Sequence, residues 1–172
     1  MELIHRQGDM LQTGFIGTPY LLHALSDNGY SELAYSLLLR REYPSWLYPV
    51  TKGATTMWEH WDGILPNGDL WSEHMNSYNH YAYGAVADWM FEVAGGIQTV
   101  EEKPGFEEIV FCPVATDQID SFYAEIETKR GRIRSGWKHE NGLVRYEITT
   151  PSDATARIAG REYRLTPGSY TF

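Results

Sequence analysis

Apolar residues recur at helical spacing through roughly the first hundred positions and at every second position after them. In "TPYLLHALSDNG", residues 18–29, Tyr20, Leu21, Leu22, Ala24 and Leu25 make one broad apolar face. Pro19 suits a first helical turn, and Asn28-Gly29 is a stop signal. "YSELAYSLLLRREYPSW" repeats the logic, with Ser31 as N-cap, Leu33, Tyr35, Leu37 and Leu38 following, and Pro44 ending the helix. A third helix is predicted through "NSYNHYAYGAVADWMFEVAGG", residues 76–96. Its small Ala82, Gly84, Ala85 and Ala87 admit a close neighbour, and Gly95-Gly96 terminates it. After "GIQTVEEKPGFEE" the period becomes two. "EIVFCP", "SFYAEIETKRGRIRSGWKHENGLVRYEITT", "ATARIAGREYRL" and "GSYTF" alternate apolar with polar residues. Turns are expected at Lys129–Gly131, Asn141-Gly142 and Ala159-Gly160, and Asn141-Gly142 is the clearest hairpin signal.

The pattern describes an α+β two-part chain, helical over residues 1–100 and all-β over 101–172. Three helices do not bury their own apolar faces, and the start, "MELIHRQGDMLQTGF", reads like the tail of an element already under way. The helical part is therefore expected to belong to a larger helical assembly. The apolar faces of Leu21, Leu25, Leu37 and Leu38 are expected to be exposed in the chain by itself, so self-association is expected too.

Composition narrows the classes. A hydrophobic content of 42% supports a packed core, and an aromatic content of 14% is high. The net charge of −9 argues against a nucleic-acid partner, because phosphates need a basic footprint. The one basic cluster, Lys129, Arg130, Arg132 and Arg134, reads as a solvated strand face. The single cysteine, Cys112, excludes an intrachain disulfide and a cysteine zinc site, and reads as a small buried hydrophobe. No run approaches the roughly 20 apolar residues of a membrane span, and no signal-peptide pattern follows Met1. A cytoplasmic location without a membrane partner is expected.

The chemistry-bearing stretch is residues 55–84, "TTMWEHWDGILPNGDLWSEHMNSYNHYAYG". It holds Glu59, Asp62, Asp69 and Glu73, with His60, His74 and His80 and with Trp58, Trp61 and Trp71. Metal ligation is not favoured. There is no H-E-x-x-H, no i,i+4 histidine pair and no calcium loop, so neither metal nor cofactor is expected. Nucleophile elbows and phosphate loops are missing as well. Two readings stay open on the residues alone. In one, Glu59 does general acid/base chemistry on a sugar between the walls of Trp58 and Trp61, steadied by Thr55 and Thr56. In the other, both indoles are core and Glu59 is a solvated carboxylate.

"TGFIGTPYLLHAL", "YPSWLYPVTKGATTMWEHWDGI", "MNSYNHYAYGAVADWMFEVAGGI" and "PGFEEIVFCP" follow one another here. In order and spacing the chain resembles the bacterial and fungal α-L-rhamnosidases over essentially its whole length, most strongly from Thr13 to Ile97. The resemblance implies the last helices of an (α/α)6 barrel catalytic domain, residues 1–100, followed by an antiparallel, jelly-roll-like β-sandwich, residues 101–172. It implies an inverting hydrolase acting on L-rhamnose-containing glycosides. By the W-E-x-W motif Glu59 would be the general base, and by the N-H-Y motif His80 would line the rhamnose pocket. Trp58, Trp61 and Asn79 would be neighbours of the sugar. His60 stands where the family often has Arg. The family's acid motif, near D-C-P-Q-R-x-E, has no match, since the one Cys-Pro, Cys112-Pro113, falls in a strand. The chain is therefore expected to lack the general acid, to be inactive alone, and to start at Met1 as a truncated reading frame, fragment or split subunit. A non-catalytic rhamnose- or glycan-binding module, or a fragment that needs the missing N-terminal barrel portion, is the alternative.

Overall fold

The computed structural model describes residues 2–6, 8–74 and 76–172. Met1, where truncation was expected, lies outside them. The chain divides into two compact units, residues 1–86 and 87–172.

In the first unit, α1 spans Glu2–Arg6, α2 Thr18–Asp27, α3 Ser31–Leu39 and α4 Leu47–Thr51. The start of α2 is built by Thr18, whose buried hydroxyl donates to the Gly14 carbonyl at 2.8 Å while Pro19 occupies the first turn. Its end uses Gly29, which at φ +82° takes the left-handed conformation a helix stop requires. Tyr30 then donates its N–H back to Leu25 at 2.8 Å. Leu22 and Leu25 of α2 are buried, as are Ala34, Tyr35 and Leu37 of α3. Ser31 is the first helical residue and Tyr30 the cap, and α3 ends at Leu39, where Arg40 turns extended (ψ 137°) well before Pro44. The short α4 carries no long periodic pattern and was not anticipated. The buried Ser45 hydroxyl starts it by accepting the Tyr48 N–H at 3.0 Å.

The apolar faces expected to be open are not. Leu25 and Leu37 are buried, and Leu21 and Leu38 half-buried, because α2 and α3 pack on each other. The exposed apolar groups of this unit include Phe15, Ile16, Tyr20 and Tyr81 instead.

The third helix begins later than its composition suggests. Helical turns start only at Ala82, with a 3-10 turn over Ala82–Ala85, then α5 over Val86–Trp89 and a π turn over Met90–Ala94. Residues 77–80 form a loop instead, because their backbone groups find partners elsewhere. Ser77 O accepts the Glu59 N–H at 2.9 Å, and the His80 N–H donates to Met57 O at 2.8 Å. This pairing of two loops is what positions the candidate site.

The second unit is a sandwich of two four-stranded sheets. Its strands are β1 (Ile97–Thr99), β2 (Glu108–Phe111), β3 (Ser121–Thr128), β4 (Gly131–Glu140), β5 (Leu143–Thr150), β6 (Asp153–Ile158), β7 (Arg161–Leu165) and β8 (Gly168–Thr171). One sheet runs β1-β2-β6-β7 and the other β3-β4-β5-β8. Pairing is antiparallel except between β2 and β6, where Ile109 faces Ala154 in a parallel register. Ile109, Phe111 and Ala156 of the first sheet meet Ala124, Ile133 and Ile148 of the second in one core. The β4–β5 turn has φ +53° at Asn141 and +78° at Gly142, the pair of left-handed residues a tight hairpin needs. Cys112 is half-buried rather than buried. The basic cluster faces acids and a ring: Arg132 pairs with Glu127 at 2.6 Å, and Arg134 lies 4.6 Å above the Tyr123 ring. Among the described residues, no helix is long and apolar enough to cross a membrane.

Candidate active site

The site lies wholly in the first unit, on loops 56–63 and 77–81. Glu59 is held from both ends. Its N–H donates to Ser77 O at 2.9 Å, and its Oε2 accepts the Ser77 N–H at 3.2 Å. The carboxylate is half-buried and anchored by a main-chain donor, which fixes the rotamer and restrains one oxygen. The threonines do not reach it. Thr56 donates its hydroxyl to the Tyr78 carbonyl and so ties the two loops, and Thr55 is exposed.

The two indoles of the motif diverge. Trp58 is 5% exposed and meets Tyr78 edge-on, with centroids 5.1 Å apart and planes at 84°. Below it, Gly63 leaves no spare room, since an added Cβ would lie 3.1 Å from Trp58 Cε3. Trp58 is thus the packed floor of its own loop. Trp61, 9% exposed, stacks on Tyr83 at 3.7 Å and 15°, and its edge meets Trp46 at 5.3 Å. The Trp46 indole N–H donates to Tyr83 O at 2.9 Å, which locks this aromatic stack. Trp61 and Tyr83 then form a wall of a cavity of about 420 Å³ that also involves Gln12, Thr13 and Tyr43.

His80 is half-buried and lies flat on Phe15, with centroids 4.9 Å apart and planes at 17°. Its Nδ1 accepts the Ala82 N–H at 3.3 Å, so a neutral ring carries its proton on Nε2. Asn79 is exposed, and its backbone N–H bonds the Ser77 hydroxyl at 3.4 Å. His60 stacks on Trp71 at 3.8 Å. Among the described residues, His60, His74 and His80 form no group able to hold a metal ion.

Two participants escaped the sequence. The Ser77 amide has no side-chain signature at all. Tyr83 lies in the 3-10 turn beyond the loop that carries His80, and the two share Phe15, whose ring is 4.9 Å from His80 and 5.2 Å from Tyr83. Asp62, already among the acids of the stretch, enters through its effect on Tyr83. Burial first, and then the charges of Tyr43, Asp62 and Glu59, push the Tyr83 phenol above its ordinary pKa. Both carboxylates therefore act on the phenol that walls the cavity. The loops restrain the Glu59 carboxylate and orient the His80 imidazole, groups suited to proton transfer and polar recognition, while the cavity itself is lined by Trp61 and Tyr83 and by neither Glu59 nor His80.

A family model described as bacterial alpha-L-rhamnosidase 6 hairpin glycosidase domain matches residues 1–94. Another, bacterial alpha-L-rhamnosidase C-terminal domain, matches residues 96–166. An alpha-L-rhamnosidase of Streptomyces avermitilis is 39% identical over 158 residues, which is 92% of this chain and 15% of that protein. A crystal structure of Streptomyces avermitilis alpha-L-rhamnosidase complexed with L-rhamnose superposes with a TM-score of 0.90 and 33% identity, covering 99% of this chain and 19% of that one. The native enzyme of Aspergillus terreus superposes at 0.89 with 33% identity, over 99% of this chain and 20% of that one. The chain thus spans under a fifth of the curated relative's length.

Proposed function

The chain belongs to the bacterial α-L-rhamnosidase family, and from that premise we propose that it carries the base-bearing part of an inverting α-L-rhamnosidase. The substrate is a glycoside ending in L-rhamnose. Glu59 takes a proton from a water molecule as the water oxygen bonds to the anomeric carbon. The glycosidic bond breaks on the opposite face, and the departing oxygen takes a proton from a carboxylic acid outside this chain. In such enzymes the two carboxyls stand roughly 6.5–9.5 Å apart, which leaves room for the water. His80 donates Nε2–H to a sugar hydroxyl, and Trp61 and Asn79 flank the ring. Trp58 serves the site by bracing the loop.

The observation that supports this reading most is the Ser77–Glu59 clasp. An amide on Oε2 holds the carboxylate still and keeps its other oxygen for water, and its charge is felt at the cavity wall through Tyr83. The chain alone is expected to turn over no rhamnoside at a rate near that of a full-length enzyme. With the rest of the six-hairpin domain supplied in trans, activity appears, and Glu59→Gln lowers it by about 10²–10⁴. Full activity of the chain alone, or of the Glu59→Gln complex, refutes the proposal.

A second reading is a glycan-binding module, favoured by the cavity at Trp61 and Tyr83, whose lining includes no carboxylate. Rhamnose binding without turnover in the assembled protein, lost in Trp61→Ala and kept in Glu59→Gln, would select it.

A further inference from the structure

Phe15 touches both the His80 imidazole and the wall of the cavity. Its ring lies 4.9 Å from the His80 ring with the planes at 17°, an offset stack, and 5.2 Å from the Tyr83 ring at 53°. Tyr83 in turn stacks on Trp61 at 3.7 Å, and both line the cavity. The backbone that carries Phe15 is pinned. The buried Thr18 donates its N–H to the Gly14 carbonyl at 3.0 Å and its hydroxyl to the same oxygen at 2.8 Å, and that hydroxyl also meets the one of Thr13 at 2.9 Å. Gly17 keeps the turn tight, since an added Cβ would lie 3.0 Å from Thr13 Cγ2. Phe15 thus stands on a fixed turn, yet its ring is 43% exposed and is not a core residue.

His80 needs a second hold on its ring. Its N–H donates to Met57 O at 2.8 Å, which fixes the backbone but leaves the imidazole to turn, because histidine χ2 is broad and roughly two-fold. Within the loop the ring makes one bond, from the Ala82 N–H to Nδ1, and at 3.3 Å it is long. A bond of that length between residues two apart does not hold a ring by itself. The two contacts divide the task. The face of Phe15 sets the plane of the imidazole, and the Ala82 amide selects which edge of the ring lies toward it. We infer that Phe15 is a positioning residue, which holds the His80 ring on the Ala82 amide so that the neutral imidazole keeps its proton on Nε2 as a donor. Through Tyr83 the same side chain ties that donor to the cavity wall. The inference rests on the rhamnosidase reading for the use made of His80 and adds what holds the imidazole in place.

The test reads the His80 tautomer in the chain by ¹⁵N NMR of the imidazole nitrogens, with His80→Asn assigning its signals among the six histidines. Wild type is compared with Phe15→Tyr, which keeps a ring to stack, and with Phe15→Leu, which keeps an apolar side chain without a flat face. Circular dichroism and urea midpoints check that each variant folds. The expected result is one neutral form, protonated on Nε2, in wild type and Phe15→Tyr, and a mixture of both tautomers in Phe15→Leu. A single Nε2–H form in Phe15→Leu, a mixture already in wild type, or a mixture in Phe15→Tyr overturns the inference. Rhamnoside kinetics are then measured with the rest of the six-hairpin domain supplied in trans. Phe15→Leu is expected to raise KM roughly threefold or more, with a smaller change in kcat, because a hydrogen bond to bound sugar loses its aim. A mixed tautomer in Phe15→Leu with unchanged KM and kcat supports the positioning role and removes the sugar contact proposed for His80. No turnover by any assembly defeats the rhamnosidase proposal, and the tautomer measurement still decides this one.

Discussion

Replacing Trp61 with alanine separates the packing role of this residue from any role toward a sugar. The indole is almost wholly removed from water, with one face on Tyr83 at 3.7 Å and its edge on Trp46. A buried Trp removes about 150–250 Å² from water. At about 25 cal/mol per Å² that burial is worth about 4–6 kcal/mol. Alanine recovers a small part and the neighbours relax into some of the gap, so the expected loss is about 3–5 kcal/mol. Trp61→Phe keeps a ring on Tyr83 and should lose about half as much or less. Against a total stability of about 5–15 kcal/mol, the alanine variant sits near the unfolding threshold. Urea unfolding followed by far-UV circular dichroism reads both values. A loss below about 1 kcal/mol for Trp61→Ala would refute the packing argument, because a ring so placed cannot be removed at the cost of a surface substitution. The same numbers govern the ligand experiment, since lost rhamnose binding in Trp61→Ala counts only when the variant is folded under the assay conditions.

Gly136→Ala tests the sandwich. The new Cβ would stand 2.3 Å from Tyr123 Cδ1 and 2.4 Å from the Phe122 carbonyl on the paired strand, so a loss of about 1–3 kcal/mol and a lower Tm by scanning calorimetry are expected. An unchanged Tm would show that β3 and β4 do not approach as closely as described. Lys103 and Glu108 provide a pH test. The hydrogen bond and charge of Lys103 at 2.7 Å hold the Glu108 carboxyl below its ordinary 4.5. A depressed folded-state pKa adds stability above 4.5 and loses it as pH falls through the lowered value. The Tm gap between wild type and Lys103→Met, small for so exposed a pair, should close on acidification below pH 4.5. A gap that persists to pH 2 would remove the ion pair as its cause.

The family and the helix-then-strand order were legible in the sequence. Of the face predicted on α2, Leu22 and Leu25 are buried while Tyr20 and Ala24 are exposed; Ile133 and Ile148 sit inward on the neighbouring strands β4 and β5, and Asn141-Gly142 forms the hairpin turn its chemistry demands. These are local properties, and neighbours along the chain suffice to specify them. The parallel pairing of β2 with β6 was not legible, because Ile109 and Ala154 are brought together by the core they share rather than by a turn between them. Nor was the late start of the third helix, where residues 77–80 give up helical bonds for the backbone of Met57 and Glu59. Trp58 and Trp61 are three residues apart in one motif and indistinguishable by composition, yet the first packs on Tyr78 and the second on Tyr83 beside a cavity. Sequence determined which chemical groups the chain has and which face of each element carries them. Tertiary structure decided which indole meets open space and which amide clasps Glu59, because both depend on partners that only long-range packing and the satisfaction of buried backbone groups can select.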